Sequence, residues 1–472
     1  MPTHAVLVHG YSETSLSAYA DFPIVLKDVA PELSDLVMCA FDSLDDAVTI
    51  DDLAGALETR MRDVERRRGW DTTKSVFICH STGALIVRRW LLNRAASGDQ
   101  IPSHLITMAG ANHGSTLAQI GKTPLGYAHQ FFHKNTLGVG AGILTDLDYG
   151  SSFLLRLNRE WLAMRNGDPG RGVDASDALA SLYVFSMGGD YNGSKEEPAV
   201  DLLWASAESG SDNTVRISGA NLNYTYLLGD VAAKSLRALP SKPQAHLVIP
   251  GKSHYGRQTG ILASNTAPTN VPMLAIREAL DIDAPDKYLA LVTKWTDSSH
   301  TWSRNNHDDT NSTIVFYLRD QNGVSINDCY IGFLDSSVPG LDATRPEAKK
   351  GPLVAALASV SGAMNNRQPI HNDTQLGSYS FYVKTERFNA IQRHVITIST
   401  TTSSDLVTCG PLSFTVDHDT VERMIFPNQF TYVEIVLPRV AEKAFAVYDA
   451  TPWPPDAALW LPFPQRGRFA PP

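Results

Sequence analysis

Along the first 283 residues, short apolar runs alternate with longer stretches in which apolar residues recur every three or four positions. Ala5 to Val8, Leu36 to Phe41, Val76 to Ile78, Leu105 to Met108, Leu182 to Met187 and His246 to Ile249 are the short runs, rich in strand formers. Each reads as a strand, since one covered on both faces needs no polar alternation. Asp21 to Val29, Asp51 to Arg68, Ala84 to Leu92 and Met273 to Leu280 read as helices. In the second of these, Leu53, Leu57, Met61 and Val64 share one face. Its last residues, Arg66, Arg67 and Arg68, are a solvated helix end, where cations complement the helix dipole. Strands alternating with helices predict a mostly parallel sheet with helices on both faces, an α/β domain over residues 1–283.

Two stretches depart from that rhythm. Thr116 to Leu162 lacks strand alternation and carries Leu125, Phe131, Phe132, Leu137, Val139, Ile143 and Leu144 among many glycines. It is far longer than one crossover needs, and we read about 116–180 as an inserted helical cap with an apolar underside. From about Ala284 the pattern turns to short β-rich runs: Tyr288 to Trp295, Thr313 to Leu318, Cys329 to Phe333, Tyr379 to Val383, His394 to Thr400, Leu412 to Val416 and Tyr432 to Leu437. Polar turns such as Asp320-Gln321-Asn322-Gly323 separate them, and no amphipathic helix is read between them. An all-β, sandwich-like domain of roughly seven strands is expected over 284–450. The tail, 451–472, holds seven prolines and two tryptophans and is expected to run extended along a domain surface.

The chemistry concentrates at Ser75 to Leu92, where Val76-Phe77-Ile78 leads through Cys79-His80-Ser81-Thr82-Gly83 into the helical Ala84 to Leu92. A serine on so tight a strand-to-helix turn needs small residues two positions to either side, and Cys79 and Gly83 stand there. Such a turn lifts the Ser81 hydroxyl above the sheet and aims the Thr82 N–H at a developing oxyanion. Ser81 is therefore the candidate nucleophile. The segment resembles the nucleophile elbow of the α/β-hydrolase superfamily, G-x-S-x-G, with Cys79 in the first glycine position.

Other segments carry the same resemblance. His9-Gly10-Tyr11 after the first strand is similar to the turn that supplies the second oxyanion N–H, which implies Tyr11 as donor. Ala109-Gly110-Ala111-Asn112-His113-Gly114-Ser115 resembles the lipase branch, and Gly142 to Asn158 resembles bacterial lipases and lipases acting on lipid-linked esters. The loop Pro250 to Gly256 carries His254 and the segment Gly210 to Val215 carries Asp212, which completes the order Ser81, Asp212, His254 of that superfamily. Asp190, just beyond the Leu182 to Met187 strand, is the alternative acid, with Asp212 preferred because Ser-Asp-x-x-Val is closer to the family pattern. The resemblance covers residues 1 to about 283. It implies a carboxylic-ester hydrolase of lipase or phospholipase type, with Phe131, Phe132, Leu137, Ile143 and Leu144 as the wall of an acyl pocket and lipid or another acyl ester as the substrate.

Composition narrows this further. A net charge of −10 supplies no basic footprint for nucleic acid. With 43% apolar and 19% charged residues, and no run long enough to span a bilayer, a soluble globular protein is expected. It is expected to be cytoplasmic, or exported without a cleaved leader, since Ala5 to Val8 already reads as core. Cys39 and Cys79 fall in core strands, Cys329 and Cys409 are left as a possible pair, and no metal-ligand spacing or cofactor motif is seen. The β domain carries no recognisable chemistry; docking on a lipid surface, on a partner or on the hydrolase domain are its open roles. Two rival functions remain: an esterase, thioesterase or amidase for small soluble substrates, and a non-catalytic binding protein on the same scaffold.

Overall fold

Strand β1 (His4–Val8) sends Ala5 and Leu7 to one side and Val6 and Val8 to the other, and all four are buried, so both faces of its sheet need a cover. The structure, a computed structural model, describes residues 1–11, 16–115, 118, 138–166, 178–191, 208–231, 235–239, 241–327, 329–342, 349–365, 370–372, 374–391, 393–400, 408–409, 412–416, 420 and 424–440. The next strands are β2 (Asp35–Cys39), β3 (Ser75–His80), β4 (His104–Met108), β5 (Tyr183–Gly189), β6 (Tyr224–Asp230), β7 (Ser235–Ala238) and β8 (Ala245–Ile249). All but β6 and β7 form one parallel sheet in the order β2-β1-β3-β4-β5-β8.

Helix α1 (Phe22–Val29) and the helix Val271–Leu280 bury Phe22, Leu26, Met273 and Ile276 against Leu7, Ile78 and Ile106 on one face. On the other, α2 (Ile50–Arg68) and α3 (Gly83–Ala96) pack Leu57, Met61, Leu85 and Trp90 on Val6, Phe77 and Leu105. α2 begins with a capping box between Thr49 and Asp52 and stops at Gly69, whose φ of 66° a side chain would resist.

One expected strand is a helix. Tyr288 to Trp295, read as β-rich, lies in the helix Pro285–Asn305. Its buried Tyr288, Leu291, Val292 and Trp295 recur at intervals of three, one and three, a 3.6-residue stripe that the strand-forming residue types obscured, and Pro285 opens the helix. The stripe lies against the first sheet, in the same apolar cluster as Phe185 and Ala245.

The remaining strands are β9 (Asn311–Asp320), β10 (Cys329–Asp335), β11 (Ile370–His371), β12 (Ser378–Lys384), β13 (His394–Thr400), β14 (Thr408–Cys409), β15 (Leu412–Val416), β16 (Phe430–Leu437) and β17 (Arg439–Val440). They build a six-stranded mixed sheet, β11-β12-β9-β16-β6-β7, a three-stranded antiparallel sheet, β10-β13-β15, and a pair, β14-β17. Ile314, Phe316, Phe381, Val433 and Ile435 of the larger sheet share a core with Ile331, Phe333, Ile396 and Ile398 of the smaller, which makes a sandwich. Helices do interrupt it: Lys350–Ser361 buries Ala356 beside Leu334 and Val395, and Thr385–Asn389 follows β12. β6 and β7 enter this larger sheet from within the first 283 residues, so the larger sheet draws strands from both sides of that position.

The outer face of the larger sheet presents Val315, Tyr224, Tyr226, Phe430 and Tyr432 to the core of the first domain. Of the expected cap, the helices Ala141–Leu147 and Ser152–Asn166 are described; Leu125, Phe131, Phe132, Leu137 and the tail 451–472 lie outside the described residues. No disulfide joins the four cysteines. Among the described residues no helix is long and apolar enough to cross a membrane.

Candidate active site

The elbow is built from the C-terminal end of β3. Ser81 turns there with φ 54°, a left-handed conformation that costs a non-glycine residue about 1–2 kcal/mol. Its neighbours hold it: the Ser81 N–H donates to the Met108 carbonyl at 3.3 Å, and the Ala111 N–H donates to the Ser81 carbonyl at 3.1 Å. Close approach explains two glycines. A Cβ on Gly10 would sit 2.6 Å from the Ser81 Cβ, and one on Gly83 would strike the carbonyl oxygens of Val8 and His9. Cys79 is fully buried, and burial pushes its thiol pKa well up, so it serves as a small packing residue.

The structure brings Ser81, His254 and Asp212 together. His254 Nε2 lies 2.9 Å from Ser81 Oγ, and His254 Nδ1 lies 2.9 Å from Asp212 Oδ2. The three residues are 3%, 1% and 1% exposed, so water competes little for these hydrogen bonds. The other carboxylate oxygen of Asp212 accepts the N–H groups of Thr214 and Val215, at 3.1 and 2.7 Å, and the His254 N–H donates to the Asp212 carbonyl at 2.9 Å. Asp190 lies elsewhere: it accepts from Gly251 N at 2.6 Å and from Trp302 Nε1 at 2.7 Å, which ties the start of the His254 loop to the helix Pro285–Asn305.

Tyr11 follows Gly10, which lies against Ser81, and Thr82, at the N-cap position of α3, follows the serine in the chain. The Tyr11 hydroxyl donates to the Val139 carbonyl, which fastens the start of the helix Ala141–Leu147 to that turn. Ile143 and Leu144 on this helix have no exposed surface and belong to the same apolar cluster as Tyr11 and Val139.

Several further residues support this arrangement. Arg216, buried between Val215 and Ile217, pairs with Glu208 at 2.6 Å and lies 3.9 Å from the ring of Tyr382 and 4.5 Å from that of Tyr149. It thereby clamps the Asp212 turn to the second domain. His80 Nε2 donates to the His254 carbonyl at 3.2 Å, and its ring packs 4.8 Å from the His254 ring. Burial, then the nearby His254, hold its pKa well below the usual histidine value.

Burial likewise lowers the pKa of His9 and of His113, takes His104 down to about 4 and takes His246 down to about 3. His104 and His246 are thus neutral in the folded chain at pH values below about 6.5 where the unfolded chain protonates them. The unfolded chain therefore binds more protons, and stability falls as pH drops from about 6.5. Urea unfolding at pH 7.5 and 5.0 should show that loss, and His246→Gln should reduce it by about 1.4 kcal/mol per pH unit. Equal stability at the two pH values would contradict the assignment.

A buried serine, imidazole and carboxylate at the C-terminal edge of this parallel sheet define the α/β-hydrolase fold. Similarity to solved structures agrees. The chain matches phospholipase PlaB from Legionella pneumophila with a TM-score of 0.78 and 24% identity, over 95% of this chain and 97% of that one. A second structure of that protein, in complex with thio-NAD, matches with a TM-score of 0.77 and 24% identity, over 95% of this chain and 96% of that one. The mature form of Bacillus licheniformis lipase BlEst2 matches at 16% identity and a TM-score of 0.39, over 58% of this chain and 92% of that one, too slight a likeness to bear on function. No protein-family model and no curated protein matches the sequence.

Proposed function

We propose that the chain is a serine carboxylic-ester hydrolase acting on lipid-like acyl esters. The carrying observation is the buried chain of two 2.9 Å hydrogen bonds from a positive-φ serine through His254 to Asp212. Ser81 Oγ attacks the ester carbonyl carbon while His254 Nε2 takes the hydroxyl proton. Asp212 holds Nδ1–H and with it the tautomer that leaves Nε2 free to accept. The tetrahedral oxyanion is met by the N–H groups of Tyr11 and Thr82. His254 then passes the proton to the leaving alcohol, the ester bond breaks and an acyl-Ser81 remains. Water enters along the same path, gives a proton to His254 and attacks the acyl carbon; the bond from that carbon to Ser81 Oγ breaks, Oγ takes the proton back from His254, and the carboxylic acid leaves.

The lipid part of the reading is supported by the whole-chain likeness to a phospholipase and by the apolar character of the segment running from Thr116 to Leu162. Phe131, Phe132, Leu137, Ile143 and Leu144 are proposed to wall the acyl chain, the last two after the helix Ala141–Leu147 moves outward. A series of p-nitrophenyl esters from acetate to palmitate, presented in mixed micelles at the long end, tests this. Each added methylene should raise kcat/KM by up to about fourfold until the pocket is full, the equivalent of about 0.8 kcal/mol. A profile that peaks at acetate and falls steadily would instead indicate an esterase for small soluble substrates.

A further inference from the structure

The turn 111–115 joins the two halves of the triad. At one end the Ala111 N–H donates to the Ser81 carbonyl; at the other, the Ser115 hydroxyl donates to the Thr214 carbonyl, and the Thr214 N–H donates to Asp212. In its middle stands His113, whose surroundings come from the second sheet. Its ring stacks on Phe430 at 4.7 Å and meets the edge of Tyr224 at 4.7 Å. His113 Nε2 lies 2.9 Å from the Asn221 carbonyl, which only accepts, so that nitrogen carries the proton. Burial, and after it the Arg88 charge, keep the ring neutral. Nδ1 is then an acceptor, and the Tyr432 hydroxyl, 3.1 Å away, is its donor.

The same Tyr432 oxygen accepts from Asn158 Nδ2 at 2.8 Å. Asn158 Oδ1 in turn accepts from Arg88 of the elbow helix at 2.9 Å, and Arg88 also donates to the Asn112 carbonyl at 2.9 Å. One phenol of β16 therefore links the helix that follows Ser81 to the turn that reaches Asp212. We infer that Tyr432 is a positioning residue: through His113, the second domain sets the spacing of nucleophile and acid. This gives the β domain a part in turnover without contact to substrate, and it rests on the hydrolase reading.

The test is the rate at which an alkyl fluorophosphonate labels Ser81 in the full-length wild type, in Tyr432→Phe and in Tyr379→Phe, with melting temperatures alongside. Tyr379 is an equally buried tyrosine of the same sandwich whose hydroxyl donates to the Asn327 carbonyl at 2.6 Å, within its own domain. Both variants should lose comparable thermal stability. Only Tyr432→Phe should slow the limiting labelling rate, by roughly tenfold, with the probe's half-saturating concentration unchanged, as expected when reacting groups are loosened by a fraction of an ångström. His113→Gln should show the same split, so the inference stands or falls even if Tyr432→Phe does not fold. Equal limiting rates in wild type and Tyr432→Phe, or an equal slowing in both tyrosine variants, would overturn this inference alone. A wild type that the probe leaves unlabelled would overturn the hydrolase reading with it.

Discussion

Ser81→Ala should lower kcat for ester hydrolysis by roughly 10⁵- to 10⁶-fold, and His254→Ala by a similar factor, because attack needs both the oxygen and the base that takes its proton. The double variant should be hardly worse than either single one, since members of a triad act as a unit. Stability should barely move in Ser81→Ala, which loses one buried hydrogen bond and keeps the φ of 54°. Ser81→Gly should be equally inactive yet more stable than Ser81→Ala by about 1 kcal/mol, because glycine accepts that φ without strain. Steady-state kinetics and urea unfolding on the four variants check both halves. Turnover within tenfold of wild type in Ser81→Ala would remove the serine from the mechanism.

The second large effect concerns the acid. Asp212→Asn should cost about 10⁴-fold in kcat, since an amide presents no reason for Nδ1 to hold the proton and the wrong tautomer leaves Nε2 unable to accept one from Ser81. Asp190→Asn should leave kcat within about tenfold and should instead destabilise the fold by about 1–3 kcal/mol, because an amide cannot accept well from both Gly251 and Trp302. The contrast is the informative part. Both aspartates lie near loops that follow strands of the parallel sheet, yet only one touches the imidazole. Reversed effects would move the acid to Asp190.

Local pattern made much of this site legible. The nucleophile turn shows in sequence because sterics restrict residues on both sides of Ser81, and the triad order shows because each member sits on a loop with its own short pattern. The residues that hold the triad in register were not legible. Arg216, Tyr382, His113 and Tyr432 meet only through contacts between segments far apart in the chain, and no local periodicity encodes such a meeting. The same limit explains β6 and β7. Neither is read as a strand from sequence, and their place in the larger sheet depends on edge pairing with β16, some two hundred residues later. The helix Pro285–Asn305 failed differently: its stripe was present in the sequence, and the β-branched and aromatic residues filling it outweighed the spacing in the reading.

The most direct measurement is the intact mass and peptide map of the full-length protein after exposure to an alkyl fluorophosphonate. The expected result is a single phosphonyl adduct on the peptide that contains Ser81, formed as activity is lost, absent from Ser81→Ala and much slowed in His254→Ala. An unmodified wild type, or an adduct on another residue, would contradict a mechanism in which His254 activates Ser81.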